Sequence, residues 1–296
     1  MRPSVLHLTL LVLALLALAC GTSQKEQVVP SVEPSGETFE DRCDESSAVD
    51  ANGFSTTFLA VTGSKSVPFR AVAKLTLSTG SLCSAVLVAP DRFISSAHCF
   101  EEQGVTAMAE FQDSAADEAI KADIQRIVLH PEYKDALKRG ETLASSPGLA
   151  NVDVAILLLK TSVTDRIPVT MATHDRVSPG QLVSLVGYGD TGGGAGTKRF
   201  AQSHVGRLVD DEAIADVSFR NLLLLNSRSG TGACPGDSGG GVFVKDGEGY
   251  VLLGVVNGVN DLLYPGFPLA SCDRCPQGLG IVTRISGVAN FVTQMP

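Results

Sequence analysis

Positive charge is scarce in this sequence. Its 296 residues include 23 lysines and arginines against 32 aspartates and glutamates, which gives a net charge of −9 and a pI near 5.0. Because nucleic-acid binding requires a basic face that neutralises phosphates, the composition argues against a nucleic-acid partner. With 44% hydrophobic and 19% charged residues, the chain is typical of a globular protein with a sizeable core.

Long hydrophobic runs are also lacking, apart from one at the N-terminus. Residues 5–19 are nearly all apolar and follow Met1 and Arg2. This run is shorter than the about 20 residues of a comfortable membrane span, and it predicts a signal peptide over residues 1–19. The small residue before Cys20 resembles a bacterial lipobox, which implies cleavage before Cys20 and acylation of its sulfur. The alternative is an ordinary secretory signal with an incidental cysteine.

The signal sets the expected location of the protein. Gly21 stands at the second mature position, where Asp is associated with inner-membrane retention. We therefore expect an outer-membrane or cell-surface lipoprotein, or otherwise a secreted or periplasmic protein. Membrane contact is expected only through the lipid anchor at Cys20. Residues 20–53 are polar, with prolines and glycines, and this composition predicts a tether that does not order itself.

Patterns that bind metals or cofactors are missing from the sequence. It contains no HxxxH, no paired CxxC and no carboxylate cluster, and we interpret the lone CxxC at residues 272–275 as two disulfide partners of an exported protein. The glycines at residues 192–196 do not follow a strand and open a helix, as a dinucleotide-binding loop would. We expect neither a metal nor a cofactor.

Short apolar segments separated by turn signals dominate the sequence from Phe54 onward. Partial alternation at residues 71–77 and the apolar run at residues 151–160 predict strands, so we interpret the body as mostly β. Residues 138–150 are predicted to form an exposed loop. Residues 286–295 are predicted to form a short C-terminal helix.

One serine lies within a run of glycines, and a histidine and an aspartate elsewhere in the sequence could activate it as a nucleophile. Residues 234–240 read CPGDSGG, in which Ser238 directly follows Asp237. A serine hydroxyl attacks only if a base takes its proton and donors hold the resulting oxyanion. His98, after an apolar strand, and Asp153, at the start of a buried strand, are the base and orienting acid that this requires. Taken singly, the run at residues 234–240 would be interpreted as a glycine-rich turn, His98 as a structural histidine and Asp153 as an exposed acid.

The three motifs together resemble those of the chymotrypsin/trypsin-like serine proteases. SAHC at residues 96–99, DVAIL at residues 153–157 and GDSGG at residues 236–240 occur in the order of that family. The resemblance implies an all-β fold of two packed six-stranded antiparallel β-barrels with the active site between them. It places the protease domain at residues 54–296, with barrels at about 54–165 and 166–285 and the helix at 286–295.

The resemblance also implies a role for each residue of the set. Ser238 would be the nucleophile, His98 the general base and acid, and Asp153 the group that orients the imidazole. The N–H groups of Gly236 and Ser238 would form the oxyanion hole. The implied function is a monomeric serine endopeptidase acting on proteins or peptides. An esterase of another fold is disfavoured because GDSGG is not the Gly-x-Ser-x-Gly elbow and the order of the three residues differs.

A substrate pocket is implied by the same alignment, at Gly232, Asn257, Val259 and Gly280. Gly232 stands at the base of the pocket and cannot pair with a cation. Val259 replaces a glycine on the pocket wall and should narrow it. We therefore expect cleavage after small or medium apolar residues such as alanine or valine.

Cysteine pairing is implied as well. The resemblance pairs Cys83 with Cys99, and Cys234 with either Cys272 or Cys275. Cys43 would take the cysteine that remains. If Cys20 is lipidated, these six cysteines are the ones left to pair.

The sequence departs from the family at its activation segment. Many relatives carry a basic residue followed by Ile-Val-Gly-Gly, and the freed amine pairs with the aspartate before the serine. No such segment precedes Pro68, and Asp237 has no evident ammonium partner. Either another group takes that role or the oxyanion hole is not permanently formed. The alternative function is therefore a catalytically inactive binding protein of the cell envelope on the same fold.

Overall fold

The computed structural model describes residues 67–112, 118–190, 195–214, 216–226, 233–247, 249–259 and 280–294. Several predicted features lie outside the described residues: the signal peptide, the tether, Cys20, Cys43, Gly232, Cys272 and Cys275.

Six antiparallel strands form the first barrel. They are β1 (Val72–Leu77), β2 (Leu82–Ala89), β3 (Arg92–Ser95), β4 (Ala107–Phe111), β5 (Ile120–Leu129) and β6 (Ala155–Leu159). The barrel order is β1-β2-β3-β6-β5-β4, and pairing of β1 with β4 closes it. Along β1, Leu75 and Leu77 are buried whereas Thr76 is exposed, which is the period of two that a strand gives to its faces.

The second half of the chain forms another closed barrel. Its strands are β7 (Thr170–Met171), β8 (Leu182–Gly187), β9 (Arg199–Val209), β10 (Glu212–Ile214), β11 (Val217–Phe219), β12 (Leu222–Asn226), β13 (Gly241–Asp246), β14 (Gly249–Val259) and β15 (Gly280–Arg284). Six of them follow the order β13-β8-β9-β12-β15-β14, and the β13–β14 pairing closes the ring. The short β7 pairs in parallel with β14, and β10 and β11 form a separate hairpin. The prediction of two six-stranded antiparallel barrels is confirmed.

Short helices surround the barrels. They are α1 (Val67–Arg70), α2 (Pro131–Lys138) and α3 (Ala289–Gln294), with 3-10 turns at Ala97–Phe100, Pro147–Val152 and Ser286–Val288. The predicted C-terminal helix corresponds to the last 3-10 turn and α3. The predicted exposed loop at residues 138–150 is wrong for its final part, because the turn at Pro147–Val152 buries Ala150 against β11, β12 and β15.

The two barrels share a continuous apolar core. Val186, Phe243 and Leu252 of the second barrel belong to the same buried cluster as the core of the first barrel. Phe69 of α1 packs edge-on against Phe243, with ring centroids 6.2 Å apart. Aromatic pairs of this geometry add stability beyond their buried area. The junction of the barrels is therefore a packed interface.

Candidate active site

His98 and Asp153 meet in the first barrel. His98 lies on the 3-10 turn that follows β3, and Asp153 caps the 3-10 turn Pro147–Val152, two residues before β6, the strand paired with β3. The Asp153 side chain is fully buried, and its Oδ2 lies 2.7 Å from His98 Nδ1. The backbone N–H of His98 donates to Oδ1 at 2.8 Å. Both carboxylate oxygens are therefore used to hold one histidine.

This pairing decides the state of the imidazole. Because a carboxylate oxygen accepts from Nδ1–H, the neutral ring leaves Nε2 as a proton acceptor. Burial lowers the pKa of His98, but the charge and hydrogen bond of Asp153 and the charge of Glu101 outweigh it and raise that pKa above its ordinary value of 6.5. The ring is a stronger base than an isolated histidine, and 21% of its side chain remains exposed.

Glu101 lies beside the candidate site and was not singled out from the sequence. Its Oε1 accepts from the Tyr133 hydroxyl at 2.5 Å and from the Leu143 backbone N–H at 2.6 Å. Tyr133 is a fully buried residue of α2, so these bonds tie the turn that carries His98 to α2 and to the chain that follows it. The HPEY run at residues 130–133 was the available signal, because a proline at the first helical position favours a helix start.

Ser238 lies at the junction of the barrels, in a segment that we call the serine turn (residues 234–240). The backbone N–H of Ser84 in the first barrel donates to the Ser238 carbonyl at 2.7 Å. The Ser238 hydroxyl donates to the Asn257 carbonyl at 3.3 Å and makes no hydrogen bond with His98 among the described residues. A distance of 3.3 Å is long for an O–H···O bond, so this contact restrains the hydroxyl weakly.

The carbonyl groups of the serine turn are held in place. Asp190 N–H donates to Pro235 O at 2.9 Å, and Gly240 N–H donates to Asp237 O at 2.7 Å. These two carbonyls belong to the peptide planes that carry the N–H groups of Gly236 and Ser238. In a trans peptide the N–H points away from the C=O, so fixing each carbonyl also fixes the direction of the N–H. Neither of these N–H groups donates to an acceptor in the described part of the chain.

Asp237 anchors the serine turn from inside. Its Oδ1 accepts from the Gly189 N–H at 2.7 Å and its Oδ2 from the Cys234 N–H at 2.9 Å. Burial raises the pKa of this carboxyl to about 6, although both hydrogen bonds and the charge of Arg199 act to lower it. No cation lies within salt-bridge distance of Asp237 among the residues that the structure describes. A side chain at Gly189 would collide with Asp237, since a Cβ there would lie 2.4 Å from Oδ2.

The implied pocket residues are described only in part. Asn257 is buried on β14, where its side-chain amide donates to Ala150 O at 3.2 Å and its Oδ1 accepts from the Thr283 hydroxyl at 2.9 Å. Gly280 opens the paired strand β15 opposite Val259. The Asn257 side chain therefore braces the strand behind Ser238, whereas Gly232 lies outside the described residues.

Among the described residues, disulfide bonding agrees with the pairing that the family resemblance implies. Cys83 and Cys99 are bonded to each other, which confirms that pairing. Cys234 is disulfide-bonded as well. The Cys83–Cys99 bond lies directly beside both Ser84 and His98 in sequence, so it fixes β2 to the turn that carries the histidine.

The described residues also bear on metal binding and on membrane insertion. Within the described ranges, no three histidine, cysteine, aspartate or glutamate side chains are grouped so that they could hold a metal ion. In the same part of the chain, no helix is both long and apolar enough to cross a bilayer.

Two closed antiparallel barrels, with a histidine–aspartate pair and a glycine-rich serine turn at their junction, define the class of chymotrypsin-like proteins. The chain belongs to the trypsin family, whose model, described as Trypsin, matches residues 61–285. Membership of this family supports serine protease activity on proteins or peptides.

Several relatives agree with this assignment. The chain is 24% identical to a trypsin of Saccharopolyspora erythraea over 67% of this chain and 84% of that protein. It is 26% identical to a trypsin-like protease of Streptomyces glaucescens over 72% of this chain and 74% of the relative. It is 27% identical to transmembrane protease serine 9 of Rattus norvegicus over 72% of this chain and 19% of that longer protein.

Asp237 should give the protein a distinctive dependence of stability on pH. A carboxyl whose pKa is raised by folding stabilises the protein below its unfolded pKa, and that contribution is lost as the pH rises through the folded value of about 6. The difference in unfolding free energy between wild type and Asp237→Asn should therefore decrease between pH 4 and pH 6. Urea denaturation across this range measures the difference, and other carboxyls cancel because both proteins share them. A constant or increasing difference would contradict the raised pKa.

Proposed function

We propose that the protein is a serine endopeptidase that cleaves peptide bonds through Ser238, His98 and Asp153 and an acyl-enzyme. The observation that carries the proposal is the hydrogen-bonded pair of His98 and buried Asp153 at the barrel junction, beside a serine turn with two N–H groups that donate to no acceptor among the described residues. Family membership supports the reaction class, and the arrangement supports the assignment of roles.

The first step joins Ser238 to the substrate. The hydroxyl turns from its weak contact with Asn257 O toward His98, and Oγ attacks the carbonyl carbon as its proton passes to Nε2. Asp153 stabilises the imidazolium that forms. The carbonyl oxygen becomes an oxyanion and accepts from the N–H groups of Gly236 and Ser238.

The second step expels the leaving group. The tetrahedral intermediate collapses, the C–N bond breaks, and the imidazolium gives its proton to the departing amine. Water then attacks the acyl-enzyme and its proton passes to His98; the ester bond to Ser238 breaks, Ser238 Oγ takes the proton from the imidazolium, and the carboxylic acid is released. His98 is thus neutral again at the end of acylation and at the end of deacylation, in the form that Asp153 holds.

A preference for small or medium apolar residues is proposed for the residue before the cleaved bond. The support is the uncharged Gly232 at the pocket base and the narrowing effect expected of Val259. The Asn257 amide is already bonded to Ala150 and Thr283, so it is not available to bind a charged substrate side chain.

A fluorogenic peptide panel on purified protein tests both activity and preference. We expect alanine and valine substrates to be cleaved fastest and Ser238→Ala to lose at least about a thousandfold in kcat, because removal of the nucleophile disables the whole set. An organophosphonate probe should label wild type and not Ser238→Ala. A preference for arginine, lysine or glutamate would refute the pocket assignment. Absence of both cleavage and labelling would favour the inactive binding protein.

The pH dependence of kcat/KM reports the proposed base. The reaction needs neutral His98, so activity is lost as the pH falls through its pKa, and the midpoint should lie above 6.5 because that pKa is raised. Asp153→Asn removes the charge that raises it and leaves the burial that lowers it, so the midpoint should move to lower pH.

The expected rate of Asp153→Asn is about 10⁴-fold below wild type, so high enzyme concentrations are needed for this profile. Glu101→Gln is the matched control. It removes a weaker contribution to the raised pKa of His98, so it should move the midpoint of the pH profile less. A midpoint that stays in place or rises in Asp153→Asn would count against His98 as the base.

We propose that the protein is exported and anchored by a lipid at Cys20. The Cys83–Cys99 disulfide supports export, because such bonds persist in oxidising compartments. Cys20→Ala should move the protein from the membrane fraction to the soluble fraction, measured by fractionation and metabolic labelling with a fatty acid. Unchanged fractionation without label in wild type would favour the ordinary secretory signal.

A further inference from the structure

A serine of the first barrel contacts the serine turn at two carbonyls. Ser84 follows Cys83 on β2 and is fully buried. Its backbone N–H donates to Ser238 O at 2.7 Å, and its hydroxyl donates to Gly236 O at 2.9 Å. These contacts bracket Asp237, the residue between the two carbonyls.

The Ser84 hydroxyl has a defined orientation. A hydroxyl carries one donor, and here it points to Gly236 O. The oxygen also accepts from the Tyr188 backbone N–H at 3.1 Å. Tyr188 directly precedes Gly189, whose N–H donates to the Asp237 carboxylate. Ser84 therefore contacts both the serine turn and the neighbouring segment that helps to hold it.

Gly236 is the residue that most needs such a restraint. Its φ is +101°, in the region that only glycine adopts readily, and glycine has the greatest backbone freedom to lose. The peptide that follows Gly236 is restrained at both of its polar groups: the Asp237 N–H donates to Cys234 O at 2.9 Å, and the Ser84 hydroxyl donates to Gly236 O. Loss of the Ser84 bond would leave this peptide attached only within the serine turn and would widen the rotation about Gly236, which moves the Gly236 N–H and the Asp237–Ser238 peptide relative to each other.

Hydrogen bonds hold the serine turn at several points. Among the described residues, the Asp237 carboxylate accepts from two backbone N–H groups and from no cation. Further bonds hold the carbonyls of Pro235, Asp237 and Ser238. The Ser84 hydroxyl adds an attachment at Gly236 O, from the other barrel.

We propose that Ser84 is a positioning residue: its hydroxyl holds the Gly236 carbonyl and so keeps the N–H groups of Gly236 and Ser238 directed at the site of the oxyanion. The inference rests on the proposed endopeptidase function. It predicts an effect on the transition state in particular, because a planar substrate carbonyl depends less on these donors than an oxyanion does.

The test compares Ser84→Ala with Ser95→Ala. Ser95 is an equally buried serine of β3 whose hydroxyl also lies beside the serine turn, at Gly239, but it donates at 2.7 Å to Ser84 O and not to a carbonyl of that turn. Ser84→Ala should lower kcat by about tenfold to a hundredfold with KM within about threefold, less than the loss of an oxyanion donor itself. Ser95→Ala should keep kcat within about threefold of wild type.

A pair of inhibitors gives a readout that a merely structural role would not move. A peptide boronate forms a tetrahedral adduct with the serine, whereas a peptide amide of the same sequence binds as a planar ligand. Ser84→Ala should weaken boronate binding about as much as it lowers kcat and leave amide binding unchanged. Ser84→Thr retains the hydroxyl and should recover most of both losses, which keeps the inference testable if the alanine variant folds poorly.

Three results would overturn the inference while wild type is active: a Ser84→Ala enzyme with wild-type kcat, an equal loss in Ser95→Ala, or equal weakening of both inhibitors. A wild type that neither cleaves peptides nor reacts with the organophosphonate probe would instead refute the proposed function. The two failures are therefore distinguishable.

Discussion

The serine turn belongs to the second barrel, but groups of both barrels hold it. Ser84 donates to the carbonyls of Gly236 and Ser238, and Ser96 donates its hydroxyl to Val256 O at 2.7 Å. The arrangement around Ser238 therefore depends in part on the docking of the two barrels. The shared apolar core supplies the free energy for docking, and the hydrogen bonds set its register.

Two buried carboxylates at this junction have different hydrogen-bond partners. Asp153 gives both oxygens to His98, so its negative charge faces a ring that becomes cationic in the proposed reaction. Asp237 gives its oxygens to backbone N–H groups, and its pKa is raised to about 6 because those bonds do not fully offset burial. One acid thus serves electrostatics and the other serves backbone geometry.

Glu101 extends the electrostatic set beyond the three motifs. It contributes to the raised pKa of His98 and joins Tyr133 of α2 to Leu143. The same side chain therefore affects the basicity of the imidazole and the position of the chain beside it. Glu101 therefore connects α2 to the residue proposed as the base, His98.

Apolar periodicity predicted a mostly β body, and three short motifs singled out His98, Asp153 and Ser238, because both are local properties of the chain. The two-barrel fold and the Cys83–Cys99 bond were predicted through the family resemblance that these motifs carry. The sequence did not reveal Ser84, whose importance comes from a turn that follows about 150 residues later along the chain. Nor did it indicate what holds Asp237, whose carboxylate accepts from two backbone N–H groups among the described residues. Backbone donors carry no sequence signature, so only the tertiary structure could decide how the serine turn is held.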